Sequence, residues 1–180
     1  MLSPRRASVV SRLLLGRCCE STGPLPPCLR RNSTTSRGKE AVRDVVIIGS
    51  GPAGYTAALY TARALLRPLV VAGTAHGGQL MLTSDVENFP GTGTEPIAGP
   101  ALMGDLRAQA EGQGAEVLER EVLKLDLSSH PFEVTVAGLE AKIAAKAIIL
   151  ATGAQALWLD AEGEAQVRGR GVSTCATCDG

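Results

Sequence analysis

The strongest constraint on the fold is an apolar run that leads directly into a row of glycines. Residues 45–48 are four β-branched side chains without polar alternation, which is typical of a parallel strand buried on both faces. Gly49, Gly51 and Gly54 follow with G-x-G-x-x-G spacing, and apolar residues then recur at helical spacing over residues 53–66. This strand–glycine–helix order predicts the opening of a Rossmann-like α/β fold.

Each glycine meets a separate physical demand in such a motif. Gly49 makes the tight turn, Gly51 lets the backbone approach a pyrophosphate, and Gly54 lets the helix pack closely on the strand. The helix start then offers unpaired N–H groups and a positive dipole end to the phosphates. The alternative is a strand-to-helix turn that needs small residues for packing alone. The order of the elements favours nucleotide binding.

The second predicted strand, residues 69–72, departs from the fingerprint. An Asp or Glu is expected at the end of this strand, where it holds a ribose hydroxyl. This chain has Ala72, Gly73 and Thr74 there. The sequence therefore leaves open which group holds the ribose, with backbone N–H groups and Thr74 as candidates.

A cysteine pair lies near the end of the sequence. Cys175 and Cys178 have the two-residue spacing that allows an intramolecular disulfide and lowers the pKa of one thiol. The alternative is half of a zinc site, which needs four ligands. No second cysteine pair follows, and His76 and His130 are isolated. We therefore predict redox exchange and no metal.

Four further segments resemble the low-molecular-weight bacterial and plant type of thioredoxin reductase. They are Gly-Gly-Gln-Leu at 77–80, Asp-Val-Glu-Asn-Phe-Pro-Gly at 85–91, Ile-Ile-Leu-Ala-Thr-Gly-Ala at 148–154, and Gly-Arg-Gly-Val-Ser-Thr-Cys-Ala-Thr-Cys-Asp-Gly at 169–180. The resemblance runs from about residue 44 to the end of the sequence.

The resemblance implies that FAD binds at the first glycine motif. The FAD-binding residues it implies are Gly49, Ser50, Gly51, Pro52, Ala53, Gly54, Gln79, Leu80, Asn88, the backbone near Val122, Ala151, Thr152 and Gly153. An amide side chain suits a flavin edge, because both present donors and acceptors. The alternative for the two amides is that they cap turns beside glycines, and for Asn88 this is an equally good interpretation.

The activity implied by the resemblance, for the full-length form, is NADPH-dependent reduction of thioredoxin through FAD and the Cys175–Cys178 pair. We do not expect the 180 residues alone to turn over NADPH. Asp179 is the implied proton donor or acceptor, and its alternative role is to cap a helix. By resemblance, the full-length protein is expected to be a homodimer. A flavin-dependent dithiol oxidase and a non-catalytic FAD-binding fragment are the competing functions. The sequence does not indicate which sulfur meets the flavin.

The domain organisation expected is a targeting peptide at 1–40, the first part of an FAD-binding domain at 41–154, and the opening of a second nucleotide-binding domain at 155–180. The FAD-binding part is expected to be three-layered, with parallel strands at 45–48, 69–72 and 147–150 and a β-meander at about 116–136. By resemblance, a glycine fingerprint for NADPH and a Gly-Asp motif should follow the cysteines. The sequence contains neither, so we expect a truncated protein.

The first forty residues have the composition of an organelle-targeting peptide. They hold eight Lys or Arg against two acids and are rich in Ser and Thr, which predicts mitochondrial import. A plastid address, or a cytoplasmic protein with a solvated basic tail or a mistaken start codon, is the alternative. The remaining residues carry ten basic and sixteen acidic groups, which argues against nucleic acid as a partner. No apolar stretch reaches the roughly 18 residues of a membrane span.

Overall fold

The computed structural model describes residues 41–176. These residues form six strands and three α-helices: β1 Arg43–Ile48, α1 Pro52–Arg63, β2 Leu69–Val71, α2 Gly99–Gly112, β3 Glu116–Leu118, β4 Val122–Asp126, β5 Phe132–Val136, β6 Ile143–Leu150 and α3 Glu164–Val167. A 3-10 helix, Gly78–Leu82, lies between β2 and α2. The predicted targeting segment, Cys178 and Asp179 lie outside the described residues.

The strands form one sheet with the order β3-β2-β1-β6-β5-β4. The first four strands are parallel, and β5 and β4 are antiparallel additions beside β6. The long strand β6 joins the two parts, since its residues 145–150 pair with β1 along the parallel part, while residues 143–145 pair with β5. The predicted parallel strands at 45–48, 69–72 and 147–150 are confirmed, and β6 begins four residues earlier than predicted.

The predicted β-meander is wrong at its start. Residues 116–118 lie in β3, which pairs in parallel with β2 at the far edge of the sheet. The reason is α2, a 14-residue helix between β2 and β3. A helical crossover returns the chain in the same direction as the strand before it, so the strand that follows pairs in parallel. The antiparallel meander consists of β4, β5 and β6 instead.

The β-branched run in β1 supplies the core on both faces of the sheet. Val45 and Ile47 face one side and pack with Tyr55 of α1, in a cluster that also includes residues of α2. Val46 and Ile48 face the other side, in a cluster with residues of β5 and β6. Helices thus pack on one face of the sheet, and on the other face side chains of the parallel strands cluster with those of β5. The predicted Rossmann-like α/β fold with a parallel sheet is confirmed.

Helix α1 ends earlier than its apolar pattern predicts. The pattern extends to residue 66, but the helix ends at Arg63. Leu65 and Arg67 adopt φ angles of 61° and 43°, in the left-handed region. Pro68 has no N–H to continue a helix and restricts the residue before it, so the chain turns here and enters β2.

Candidate nucleotide-binding site at the carboxyl ends of the strands

The predicted binding residues collect where β1, β2 and β6 end. From β1 the chain moves to β2 and then β3 on one side, while β6 returns to the other side of β1. In open α/β sheets a reversal of this kind leaves a crevice at the carboxyl ends of the strands, and ligands bind there. The loop after β1 and the loop after β6 border this crevice.

Gly49 and Gly54 lock the loop after β1 into its shape. Gly49 has a φ of 109°, and a β-carbon on it would overlap with the carbonyl oxygen of Ala151. A β-carbon on Gly54 would overlap with the carbonyl oxygen of Gly49. The N–H of Ala151 donates to the carbonyl oxygen of Ile48 at 2.8 Å, which fixes the loop after β6 beside it. Gly54 therefore serves close packing of the helix, as the sequence predicts, and Gly49 serves both the predicted turn and close packing against the loop after β6.

Gly51 differs from its two neighbours. A β-carbon on Gly51 would meet no atom within 4 Å. Gly51 is the N-cap of α1, and Pro52 follows at the first helical position, where the missing N–H costs nothing. The N–H groups of Ala53 and Gly54 have no carbonyl one turn earlier in the helix. The space beside Gly51 thus suits an anionic group such as a pyrophosphate, and the first turn has no acidic side chain to repel it.

The Ser50 hydroxyl joins this loop to the segment after β2. Ser50 is 3 % exposed, and its hydroxyl donates to the carbonyl oxygen of Ala72 at 2.9 Å. The same oxygen accepts the N–H of Gly77 at 3.1 Å. Because the side chain is fully engaged within the protein, any contact of Ser50 with a ligand has to come from its backbone.

Gln79 and Leu80 lie in the 3-10 helix beside the crevice. The side-chain amide of Gln79 donates to the carbonyl oxygen of Ala154 at 3.2 Å, which ties the segment after β2 to the loop after β6. A β-carbon on Gly78 would lie 3.3 Å from the α-carbon of Gly51, so the two loops nearly touch. The side chain of Leu80 packs against the core on the helical side of the sheet, and its carbonyl oxygen accepts the N–H of Thr83 at 3.1 Å.

The other predicted binding residues lie at different places around the crevice. Thr152 and Gly153 follow β6 in the loop that packs on Gly49, and both are exposed. Val122 begins β4, where it pairs with Val136. Asn88 is exposed in the connection between the 3-10 helix and α2, and within residues 41–176 its side chain makes no hydrogen bond to Gln79 or to the loop after β1.

Cys175 lies in the short segment after α3 and is disulfide-bonded. Its partner lies outside the described residues, since no other cysteine occurs between residues 41 and 176. Ser173 holds the backbone here, accepting the N–H of Cys175 at 3.0 Å and donating to its carbonyl oxygen at 3.2 Å. The roles of Cys175, Cys178 and Asp179 in redox exchange stay predictions.

Two groups of residues were missed by the sequence analysis. Tyr55, in the first turn of α1, is 2 % exposed, and burial raises the pKa of its phenol, so it stays neutral beneath the loop. Glu164 accepts hydrogen bonds from Arg168, whose guanidinium lies 4.1 Å from the centre of the Trp158 ring. The Glu164–Arg168 spacing of four residues signals such a pair, whereas nothing in the sequence signals the approach of Trp158.

A cavity of about 380 Å³ lies at the opposite, amino end of the strands. Its charged lining residues pair with one another: Arg43 with Glu116, and Asp44 with Arg67. This cavity is therefore not the candidate site.

Among residues 41–176, no group of three or more His, Cys, Asp or Glu side chains could hold a metal ion. No helix in the same range is long and apolar enough to cross a membrane.

Comparison with known proteins gives a consistent result. The sequence model of the pyridine nucleotide-disulphide oxidoreductase family matches residues 43–180. Thioredoxin reductase from Rickettsia felis is 53% identical over 137 residues, which are 76% of this chain and 43% of that protein. The Streptomyces coelicolor thioredoxin reductase is 55% identical over 141 residues, 77% of this chain and 43% of that protein.

A solved structure agrees with these relatives. Thioredoxin reductase from Giardia duodenalis superposes with a TM-score of 0.67 at 46% identity, covering 76% of this chain and 43% of that one. The chain thus spans less than half the length of the proteins it matches, and it corresponds to their N-terminal part. The match over residues 43–180, with the glycine loop and fold described above, shows that the chain belongs to the pyridine nucleotide-disulphide oxidoreductase family.

Proposed function

We propose that this chain supplies the FAD-binding part and the redox-active cysteine pair of a thioredoxin reductase. The family is flavin-dependent. The observation that carries the proposal is the meeting of three loops, after β1, β2 and β6, around the open space beside Gly51. A crevice with a glycine at its mouth and a helix start behind it fits a dinucleotide.

Within this crevice the chain's own groups bind and orient the cofactor. FAD, when bound, would carry two electrons from NADPH to a protein disulfide. The N–H groups of the first turn of α1 would bind its phosphates, and Gly51 would admit them to the backbone. Gln79 would offer its amide to the polar edge of the flavin while its link to Ala154 keeps the two loops together.

The cysteine pair would pass the reduction on to the disulfide of thioredoxin. In the overall reaction NADPH, one proton and one disulfide give NADP⁺ and two thiols. One thiolate of the Cys175–Cys178 pair would attack the partner disulfide, and the second would displace the reduced partner as the pair closes again. Asp179 would give or take the proton at each thiol. We also propose a homodimer for the complete protein.

The test uses the wild-type protein expressed from its full reading frame, with Cys175→Ser and Cys178→Ser as variants. We expect a yellow protein that reduces thioredoxin with NADPH. Each serine variant should keep its flavin and lose at least a hundredfold in turnover, because a lone thiol cannot close the disulfide. A colourless folded protein would overturn the proposed cofactor. Flavin reduced by a dithiol and reoxidised by oxygen, without NADPH turnover, would favour the dithiol oxidase instead.

Mitochondrial import of the protein stays our proposal for residues 1–40. It depends on their basic, acid-poor composition, and the two relatives described above, which come from bacteria, lend it no support. A fluorescent reporter fused behind residues 1–45 should enter mitochondria and lose the leading segment. The matched control replaces Arg5, Arg6 and Arg12 with Glu and should stay in the cytosol. Cytosolic or plastid fluorescence of the unaltered fusion would contradict the proposal.

A further inference from the structure

The end of β2 lacks the acidic side chain that usually holds the adenosine ribose in this type of crevice. A ribose presents two adjacent hydroxyl donors, and a carboxylate at the end of the second strand accepts from them. Ala72 occupies the position after β2 and is buried. No acid follows in residues 73–76, so a carboxylate that takes over this role has to reach the end of β2 from another element.

The turn between β3 and β4 brings a carboxylate to this place. The N–H of Ala72 donates to the carbonyl oxygen of Leu118 at 2.8 Å, and the N–H of Gly73 donates to that of Arg120 at 3.1 Å. The hydroxyl of Thr74 then donates to Oε1 of Glu121 at 3.0 Å. Three consecutive residues after β2 are therefore bound to residues 118–121, and the Glu121 carboxylate lies beside the segment that follows β2.

This carboxylate belongs to the same end of the sheet as the glycine loop. The carbonyl oxygen of Ala72 accepts the hydroxyl of Ser50, so one backbone segment touches both the glycine loop and the turn that carries Glu121. Gly73 has a φ of 79°, and a β-carbon on it would meet no atom within 4 Å. Open space thus lies beside the segment that Glu121 joins.

The neighbouring acid, Glu119, is already engaged. Arg107 donates to it and holds the pKa of its carboxyl below the ordinary value. Glu121, in contrast, has no ion-pair partner among residues 41–176. Its bond from Thr74 uses one of its two oxygens, and a carboxylate can accept several hydrogen bonds. Glu121 therefore has the capacity to receive a ribose hydroxyl.

We propose that Glu121, oriented by Thr74, accepts the hydrogen bonds of the adenosine ribose hydroxyls of the dinucleotide bound at the glycine loop. The inference rests on the proposed FAD site and names the residue that replaces the acid missing after β2. It also assigns Thr74 a positioning role, since its hydroxyl holds the carboxylate and does not itself bind the ribose.

The experiment measures binding of FAD, ADP and 2′-deoxy-ADP to the wild-type protein, Glu121→Ala and the matched control Glu119→Gln by calorimetry. The wild type should bind ADP about tenfold to a hundredfold more tightly than 2′-deoxy-ADP, the range for one hydrogen bond to a charged group. In Glu121→Ala, the affinities for FAD and for ADP should fall by about the same factor, and the preference for ADP over 2′-deoxy-ADP should disappear. Glu119→Gln should keep both the affinity and the preference.

The outcomes separate this inference from the proposed function. If the wild type binds FAD and Glu121→Ala binds it equally well with the same preference for ADP, the inference is overturned and the FAD site stands. If the folded wild type binds no FAD, both fail. Circular dichroism of each variant confirms that a loss of binding is not a loss of folding. Thr74→Val should lower the affinity for ADP less than Glu121→Ala does. An equal or larger loss of ADP affinity would contradict the positioning role of Thr74.

Discussion

The carbonyl oxygen of Ala151 fills the space that a β-carbon on Gly49 would need. Gly49 also has a φ of 109°, which L side chains rarely adopt. The loop after β1 and the loop after β6 can therefore pack this closely only because Gly49 has no side chain. Gly51, two residues on, has open space at the same position. Two glycines of one motif thus have different physical reasons to be glycine.

This difference gives a prediction for paired variants. Gly51→Val should fold normally and lose FAD, because its side chain would fill space that is open in the protein. Gly49→Ala should instead destabilise the fold by about 1–3 kcal/mol or more, through strain and overlap. Flavin absorbance and urea unfolding of both variants distinguish the two effects. Unchanged flavin content in folded Gly51→Val would contradict the assignment of this space to the cofactor.

A second prediction concerns the buried hydroxyl of Ser50. Ser50→Ala leaves the carbonyl oxygen of Ala72 and the N–H of Gly77 without that partner, so the free energy of unfolding should fall by about 1–3 kcal/mol. The exposed Ser128, whose hydroxyl contacts only its near neighbour Asp126, is the control, and Ser128→Ala should change the stability by less than about 0.5 kcal/mol. Urea unfolding of the two variants provides the test. Equal effects would contradict the structural role of Ser50.

The sequence predicts the centre of the fold because the signals there are local. Residues 45–48 and the glycine spacing each demand a particular backbone, and the structure has it. The position of residues 116–118 could not be predicted in the same way. Their short apolar run is compatible with either edge of the sheet, and the choice depends on α2, whose pattern is weak because small and polar residues interrupt it.

The candidate site divides along the same line. The glycine loop and Gln79 are recognisable because a motif carries them. Glu121 is separated from Thr74 by 47 positions in the sequence, so only the pairing of β2 with β3 reveals that they meet. In the sequence alone, the only sign that another residue must take this role is the missing acid at the end of β2.

A third prediction concerns the segment that leads to Cys175. The carboxylate of Glu164 is buried, accepts the N–H of Ala161 and the guanidinium of Arg168, and so holds Arg168 over Trp158. In Glu164→Ala this arrangement should be lost, which changes the emission of the sole tryptophan of the chain. The cost, about 1.5–3 kcal/mol for a hydrogen bond to a charged group, should be confined to this segment.

Hydrogen exchange tests that confinement. Protection should fall at the N–H groups of Arg170 and Val172, which donate to Val167, and persist in β1. The exposed neighbour Glu162 provides the control variant, Glu162→Ala, which should leave the tryptophan emission unchanged. Equal loss of protection in β1 would show that the segment and the sheet unfold together.

The last prediction concerns pH and the pair that joins β1 to β3 across β2. Both nitrogens of the Arg43 guanidinium fork donate to the Glu116 carboxylate, at 2.8 Å each. These hydrogen bonds hold the pKa of Glu116 below its ordinary value of 4.5. Since the carboxyl has the lower pKa in the folded protein, its stabilising effect is complete above pH 4.5 and is lost as the pH falls through the folded value.

Glu116→Gln should therefore lower the free energy of unfolding more at neutral pH than in acid. The Glu116 side chain is 58% exposed, so solvent screening limits the pair, and we expect the variant to be about 0.5–1 kcal/mol less stable at pH 7. At about pH 3, below the ordinary value of 4.5, the carboxyl of the unfolded chain is protonated and the difference in stability should be smaller. Urea unfolding of both proteins at the two pH values measures this difference in stability.

Other acids, such as Asp44 and Asp126, also have lowered pKa values. They titrate in both proteins, so their effects on stability cancel when the two proteins are compared. A difference that stays constant between pH 7 and pH 3 would show that the charge of Glu116 does not contribute, and that the substitution acts through packing at the edge of the sheet.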